Sequence, residues 1–181
     1  MTKRHFYNSQ GFSLIEVIAV LAILVITSAV LMSRHETASA NLTNQSEILQ
    51  THLRSIQSMA MAGSGITYIF GLKWDNTHYW AFQGVDPNAS IVRLFDDPQV
   101  IGTDNKLSLV DKDISISAAI NTATFDGKTV FFDRRGIPYS EYTDETNNTP
   151  LAGDLSISVT PRSAGSPTKS FTLTQHTGFI Q

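Results

Sequence analysis

Apolar residues fill an almost unbroken run from Phe12 to Met32, in which Glu16 is the only charged residue. At 1.5 Å per residue, a helix of this length reaches roughly 30 Å, which matches the hydrocarbon core of a bilayer. A lone carboxylate inside such a segment costs about 2.5–3.5 kcal/mol on insertion scales, so it needs a partner. The pattern predicts a transmembrane helix over residues 12–32 with a functional glutamate near its start.

The polar sequence that follows continues the helical pattern. Neither Pro nor Gly occurs between the apolar run and Gly63, so nothing breaks the helix earlier. Apolar residues recur at helical spacing, which predicts an amphipathic continuation over residues 33–62 that lays one face on a globular domain. The apolar face comprises Leu42, Leu49, Leu53, Ile56 and Ala60, and the opposite face carries Glu47, Gln50, Arg54 and Gln57.

From residue 66 onward the pattern changes to short β-rich runs separated by turn residues. The acidic, Asn-rich stretch 141–153 is typical of a surface loop. The sequence therefore predicts an α+β fold, in which a long N-terminal helix, transmembrane in its first half, packs on an antiparallel β-sheet domain at residues 66–181. The predicted strands are 66–73, 78–83, 91–95, 107–110, 114–120, 129–133, 155–160 and 170–175.

Composition excludes several kinds of site. The 181 residues include no cysteine, so the chain has neither disulfides nor thiolate metal ligands. The histidines show no metal-binding spacing, and the carboxylates at 96–97 and 111–113 do not fit the twelve-residue calcium loop. No Ser/His/Asp set stands out from the ordinary composition. The sequence therefore predicts a protein that is not an enzyme and uses no cofactor or metal.

The first eleven residues carry Lys3 and Arg4 and no apolar stretch. Cations on this flank favour a cytoplasmic N-terminus and a C-terminal domain on the other side of the membrane. A secretory signal peptide would end its apolar region at a small-residue cleavage site, and Ser39-Ala40 lies well beyond that region. A plain signal anchor explains the hydrophobicity but leaves Glu16 unexplained.

The segment Gly11-Phe12-Ser13-Leu14-Ile15-Glu16 resembles the cleavage and methylation motif of type IV prepilins and type II secretion pseudopilins. The resemblance implies that residues 1–11 are a leader peptide, which a prepilin peptidase removes after Gly11 before methylating the new amino terminus of Phe12. It also implies that Glu16 pairs with the Phe12 amino terminus, in a neighbouring subunit or its own, during filament assembly. Loss of the leader removes two cations and no acid, which takes the formal net charge from −3 to −5.

Three further segments resemble H-type minor pseudopilins and FimT-like minor pilins: residues 53–60, 131–136 and 171–178. The first of these is shared with the MSHA minor pilins. The resemblance implies a minor pilin or pseudopilin, a structural subunit of a type II secretion pseudopilus or type IV pilus that acts near the tip in assembly initiation.

The same resemblance implies partners and a location. The partners are the prepilin peptidase, other pilins or pseudopilins and the inner-membrane assembly platform. The location is the bacterial inner membrane, crossed once. The N-terminus is cytoplasmic before processing, and the β domain is periplasmic or part of an extracellular filament.

Some FimT-like minor pilins bind DNA through basic residues of the C-terminal domain. Phosphate neutralisation needs clustered cations, whereas acidic residues are interleaved with the basic ones here. Two interpretations stay open: a DNA-binding or adhesive module at the tip, and a solvated surface of mixed charge. The candidate DNA-binding residues are Arg134, Arg135, Arg162 and Lys169.

Overall fold

This computed structural model describes residues 13–63, 69–94, 104–162 and 167–181, without the side chains of 29–39. Its elements are one long helix followed by eleven strands in two antiparallel sheets, which confirms the predicted α+β class. By contact density, the chain divides into two compact units, Met1–Thr37 and Ala38–Gln181. The boundaries predicted at residues 11, 32 and 62 stay predictions.

Helix α1 runs from Leu14 to Ala62, as the absence of breakers predicts. Its first turn is closed by the carbonyl of Ser13, which accepts hydrogen bonds from the backbone N–H groups of Glu16 (3.0 Å) and Val17 (3.3 Å). Gly63 follows its last residue, in the position where glycine commonly ends a helix. The predicted apolar face is confirmed, because all five of its residues are almost fully buried: Leu42, Leu49, Leu53, Ile56 and Ala60.

The predicted transmembrane segment is not confirmed. Within the part of the chain that the structure describes, no helix combines the length and the apolarity that a membrane crossing requires. Phe12 and the leader peptide lie outside the described residues, and so do the side chains at the end of the predicted segment, residues 29–32.

The larger sheet has seven strands in the order β3-β2-β1-β7-β8-β9, and β4 pairs with β2 beyond the end of β3. β1 and β2 form the predicted first hairpin, in which Trp74 pairs with Tyr79. β7 then pairs with β1, and the turn at 133–137 leads into β8. The strands are β1 (Phe70–Trp74), β2 (His78–Gln83), β3 (Ile91–Val92), β4 (Leu107–Ser108), β7 (Thr129–Phe132), β8 (Pro138–Tyr142) and β9 (Asn148–Pro150).

The smaller sheet has the order β11-β10-β5-β6. The end of the chain protects one edge of it, since Thr172 exchanges backbone hydrogen bonds with Gln181 (2.9 and 3.1 Å) and Leu173 bridges to Ile180. Its strands are β5 (Ile114–Ile120), β6 (Ala123–Thr124), β10 (Leu155–Pro161) and β11 (Lys169–Leu173).

One core joins the buried face of α1 to both sheets. Alternate residues of the larger sheet supply a second buried cluster on its other face, with Trp80, Phe82 and Phe131 among its members. The five Phe, Tyr and Trp residues of the first hairpin are all buried, as expected of core aromatics: Phe70, Trp74, Tyr79, Trp80 and Phe82.

One segment predicted as a loop contains strands. Residues 141–153 include the end of β8 and all of β9, joined by a short loop at 143–147. The side chains of Asn148–Pro150 stay largely exposed on this edge strand, so the sequence lacks the apolar alternation that marks a strand. Pairing with β8 supplies the backbone hydrogen bonds instead.

Candidate assembly segment and cationic residues

The N-terminal part of α1 exposes apolar side chains on all sides. Every described side chain from residue 13 to residue 28 is exposed, and the large apolar ones are 49–80% exposed, from Val17 to Leu14. A helix that is apolar all round requires an apolar environment. An exposed apolar surface of this extent marks an interaction with other proteins or with lipid.

Glu16 is the only charged residue from 13 to 28, and it lies in the first turn of α1. Four backbone N–H groups are unpaired at a helix N-terminus, and the positive end of the helix dipole favours a carboxylate there. Its side chain is exposed, so a cation from a neighbouring chain can reach it. Gly11 and Phe12, the predicted cleavage and methylation residues, lie outside the described residues, and their roles and that of Glu16 stay predictions.

A second polar residue of this segment is satisfied within the helix. The Thr27 hydroxyl donates to the carbonyl oxygens of Ile23 (2.9 Å) and Leu24 (3.0 Å). This internal bonding removes the cost of burying the hydroxyl in an apolar environment. Glu16 is therefore the charged group of the described segment that still needs an external partner.

The candidate cations Arg134 and Arg135 lie in the turn between β7 and β8, which Asp133 organises. The Asp133 carboxylate accepts backbone hydrogen bonds from Arg135 (2.9 Å) and Ile137 (3.0 Å). It also forms an ion pair with the Arg135 guanidinium (2.8 Å) and accepts a hydrogen bond from the Tyr139 hydroxyl (3.2 Å). Asp133 is buried, whereas the Arg135 side chain is 65% exposed.

Charge and burial shift two pKa values in this turn. The hydrogen bond and the charge of Asp133 raise the pKa of Arg135. Burial raises the pKa of Tyr139, and the Asp133 carboxylate adds to that shift. Arg135 therefore neutralises an internal carboxylate, and Arg134 is the cation of this turn that is free of such a contact among the described residues.

The structure does not bring all four candidate cations together. Arg162 donates to the carbonyl oxygens of Ile114 (2.8 Å) and Asn76, beside the turn of the first hairpin. That turn lies at the start of β7, whereas Arg134 and Arg135 follow its end, roughly 13 Å along the four-residue strand. Lys169 is exposed at the start of β11 in the other sheet.

The role of Gln57 differs from its predicted position on the face of α1 opposite the apolar one. The Gln57 side-chain amide donates to the carbonyl oxygens of Gly136 (2.9 Å) and Thr177 (3.1 Å). Arg54, one turn earlier, donates to the carbonyl of Ile180 (3.1 Å). The three segments that resemble minor pilins, at the helix end, in the β7–β8 turn and at the chain end, therefore meet at Gln57. No local pattern identifies such contacts, which span 79 to 126 positions.

Potential metal ligands are dispersed in the part of the chain that the structure describes. No group of three or more His, Asp or Glu residues there has the geometry to hold an ion.

A family model described as the prokaryotic N-terminal methylation motif matches residues 7–32. The matched region contains Gly11, Phe12 and Glu16. The match supports a pilin-like or pseudopilin protein, processing by a prepilin peptidase and assembly with other pilins. Proteins with this motif are structural rather than enzymatic. Neither the comparison with curated proteins nor that with solved structures found a match.

Proposed function

We propose that this protein is a structural subunit of a type II secretion pseudopilus or a type IV pilus. The observation that carries the proposal is the match to the methylation motif at residues 7–32, within which the described part of the helix, up to residue 28, exposes apolar side chains on all sides and holds one carboxylate, Glu16. Such a helix fits two environments in turn, the bilayer before assembly and the packed helices of a filament afterwards.

In the proposed mechanism, residues 12–32 hold the subunit in the inner membrane, with the C-terminal unit on the periplasmic side. The peptidase cuts after Gly11 and methylates Phe12, which leaves a cationic amino terminus. Glu16 of an adjacent subunit neutralises that terminus, so two charges that lipid would leave unsatisfied pair as the subunit enters the filament. The pair couples extraction from the membrane to the register of the helices.

The finer assignment that we propose is a minor subunit near the filament tip that helps to initiate assembly. Its support is the resemblance of three segments to H-type and FimT-like proteins, together with their convergence at Gln57. Deletion of the gene for this protein is then expected to abolish filaments and not merely to shorten them. Electron microscopy of sheared preparations measures this.

The alternative is a tip-located DNA-binding or adhesive subunit. Arg134 has no hydrogen-bond or ion-pair partner among the residues that the structure describes. The cation next to it, Arg135, is already paired with Asp133. The filament-subunit proposal is therefore preferred.

Two measurements test the proposal. Mass spectrometry of the N-terminal peptide from native membranes should find methylated Phe12 as the first residue, and an intact Met1 or a cut beyond Met32 would overturn the proposal. Glu16→Val should leave this processing unchanged and abolish incorporation into filaments. The matched control is Glu47→Val, which removes an exposed glutamate farther along the same helix and should assemble normally. Normal assembly of the Glu16 variant would contradict the pairing mechanism.

A further inference from the structure

Four asparagines of the chain occur in the pattern Asn-x-Ser/Thr, in which x is not proline. This pattern is the acceptor of N-linked glycosylation in exported proteins, where an oligosaccharyltransferase modifies the asparagine amide and recognises the hydroxyl two residues later. Because so short a pattern also occurs by chance, the surroundings of each asparagine in the fold decide which of them is an acceptor. The four are Asn41, Asn44, Asn88 and Asn147.

Two of these asparagines, Asn41 and Asn44, lie within helix α1. Their backbone is fixed by the hydrogen bonds of the helix, so it cannot fit an enzyme cleft unless the helix unwinds. The hydroxyl residues that follow them are also poorly accessible, since Ser46 is only 5% exposed and Thr43 is partly buried. Both positions are therefore inaccessible to a transferase in the folded chain.

Asn88 is exposed in the connection between β2 and β3, but this connection is bound to the core. The carbonyl of Pro87 accepts a hydrogen bond from the indole N–H of Trp80 (2.7 Å), whose side chain is buried. The amide oxygen of Asn88 accepts a hydrogen bond from the ammonium group of Lys73 in β1 (3.4 Å). Moving Asn88 into an enzyme cleft would break both bonds, so Asn88 is a poor acceptor.

Asn147 lies in the loop at 143–147 between β8 and β9, in which every side chain is exposed. Its backbone N–H and its side-chain amide both donate to the Asp144 carboxylate (2.7 Å each). Its carbonyl accepts a hydrogen bond from the backbone N–H of Thr143 (2.9 Å). These partners all belong to the loop, so the loop can open locally while the core stays intact. Asn147 therefore has the accessibility that the other three asparagines lack.

The residues on either side of Asn147 are accessible as well. The Thr149 side chain is exposed on the edge strand β9, and its hydroxyl donates only a long hydrogen bond, to the Glu141 carboxylate (3.5 Å). An enzyme can replace that bond with its own at little cost. Glu145 is exposed two residues before Asn147, and its carboxylate makes neither a hydrogen bond nor an ion pair with any residue that the structure describes. This carboxylate can pair with a cation of the enzyme.

We propose that Asn147 is a site of N-linked glycosylation. The proposal rests on the proposed function in one respect, because the C-terminal unit must be exported to the side of the membrane where such transferases act. The co-reactant is an oligosaccharide joined through its anomeric carbon to a polyprenyl diphosphate.

In the transfer, the side-chain amide nitrogen of Asn147 forms a bond to that anomeric carbon, while the bond from the carbon to the diphosphate oxygen breaks. The amide gives up one of its two protons, and the polyprenyl diphosphate leaves with the electron pair of the broken bond. The glycan then covers the edge of β9, where the backbone is otherwise open to pairing with another strand.

Mass spectrometry of the full-length protein from native membranes tests the site. Trypsin, which cuts after Lys and Arg, releases residues 136–162 as one peptide, and Asn147 is its one asparagine in the Asn-x-Ser/Thr pattern. This peptide should carry the additional mass of an oligosaccharide, and fragmentation should place that mass on Asn147. The matched control is the peptide 74–93, which contains Asn88 and should have its unmodified mass. A 136–162 peptide that occurs only at its unmodified mass would overturn the proposal.

Two substitutions at Thr149 separate the loss of the hydroxyl from a change in the shape of the loop. Thr149→Val keeps the β-branched shape but removes the hydroxyl, so the glycosylated fraction should fall to background. Thr149→Ser keeps the hydroxyl and should retain most of the glycan. Glycosylation of Thr149→Val at the wild-type level would overturn the proposal.

Glu145→Gln should lower the glycosylated fraction, because it removes the charge that a cation of the enzyme would bind. An unchanged fraction would contradict the role of that carboxylate.

The outcomes separate this site from the proposed function. An unmodified 136–162 peptide in a chain that begins at methylated Phe12 would overturn the glycosylation site alone. A glycan on Asn147 in a chain that retains Met1 would support the site and overturn the proposed function. An unmodified peptide in a chain that retains Met1 would overturn both.

Discussion

Single side chains of this protein hold segments that are far apart in sequence. Gln57 binds the β7–β8 turn and the C-terminal turn with the same amide, and Gly178 allows the approach. Gly178 has a positive φ of 63°, and a Cβ at this position would overlap both the Gln57 amide and the Gly136 carbonyl. The positive φ and the lack of room for a Cβ therefore both require glycine at position 178.

Gly178→Ala should lower the free energy of unfolding more than Gly84→Ala does. Gly84 also has a positive φ, 97°, but nothing lies within 4 Å of the position of its Cβ. Backbone strain should lower the free energy of unfolding of both variants by about 1 kcal/mol or more. In Gly178→Ala the overlap of the new methyl group should lower it by roughly 1–3 kcal/mol more. Urea unfolding followed by circular dichroism measures both, and equal losses would show that the contacts at Gln57 tolerate a methyl group.

Ionisation of Tyr139 makes the free energy of unfolding depend on pH in the alkaline range. Its pKa in the folded chain is raised above the ordinary value of 10.0 by burial and by Asp133. Above pH 10 the unfolded chain therefore releases a proton that the folded chain retains, and stability falls as pH rises. Tyr139→Phe should reduce this fall while costing about 1 kcal/mol at neutral pH through the lost hydroxyl bonds.

The effect is measured as the free energy of unfolding of the wild type and of Tyr139→Phe at pH 8, 9, 10 and 11. Tyr142, whose pKa is also raised by burial, contributes a separate part of the fall, so Tyr142→Phe serves as the comparison. Identical pH profiles for wild type and Tyr139→Phe would contradict the assignment.

Helix α1 carries two kinds of apolar surface. The described side chains from 13 to 28 are exposed, whereas the stripe from Leu42 to Ala60 is buried in the core. The first surface is available to other molecules, and the second contributes to the stability of the C-terminal unit. Mutations on the two surfaces should therefore affect different measurements.

Leu53→Ala should destabilise the C-terminal unit by about 2–5 kcal/mol, because Leu53 is fully buried and its loss leaves a cavity. Ser58→Ala, an exposed position on the same helix, should change stability by less than about 0.5 kcal/mol. Thermal unfolding of the full chain measures both. A small loss at Leu53 would mean that the core relaxes into the space, or that this face of the helix is not packed.

For the whole molecule, charge argues against tight binding of nucleic acid. The processed chain would carry a formal net charge of −5, and the fold places Arg162 at the opposite end of β7 from Arg134. Non-specific affinity for DNA depends on the number of phosphates that clustered cations neutralise.

The full chain should therefore bind DNA weakly, and changing both Arg134 and Arg135 to Ala should alter the affinity by no more than about twofold. Fluorescence anisotropy at several salt concentrations measures this. A steep salt dependence that the double variant loses would favour the DNA-binding alternative, and Arg162→Ala serves as the control at the other end of β7.

The sequence by itself determined the features that depend on neighbours along the chain. The extent of α1 follows from the absence of Gly and Pro before Gly63, and its buried face from spacings of three, four and seven. The isolation of Glu16 and the motif at residues 7–32 are equally local. Helical periodicity is readable because its hydrogen bonds and faces repeat within four residues.

Only the tertiary structure decided which distant groups meet. It divided the strands between two sheets and paired β9 with β8. It paired Arg135, but not Arg134, with Asp133. It also showed that Gln57 binds the β7–β8 turn instead of facing solvent. Strand pairing and the surroundings of a surface charge depend on segments tens of residues away, so no local pattern encodes them. The motif at the N-terminus was therefore readable from the sequence, whereas the surfaces of the C-terminal unit required its fold.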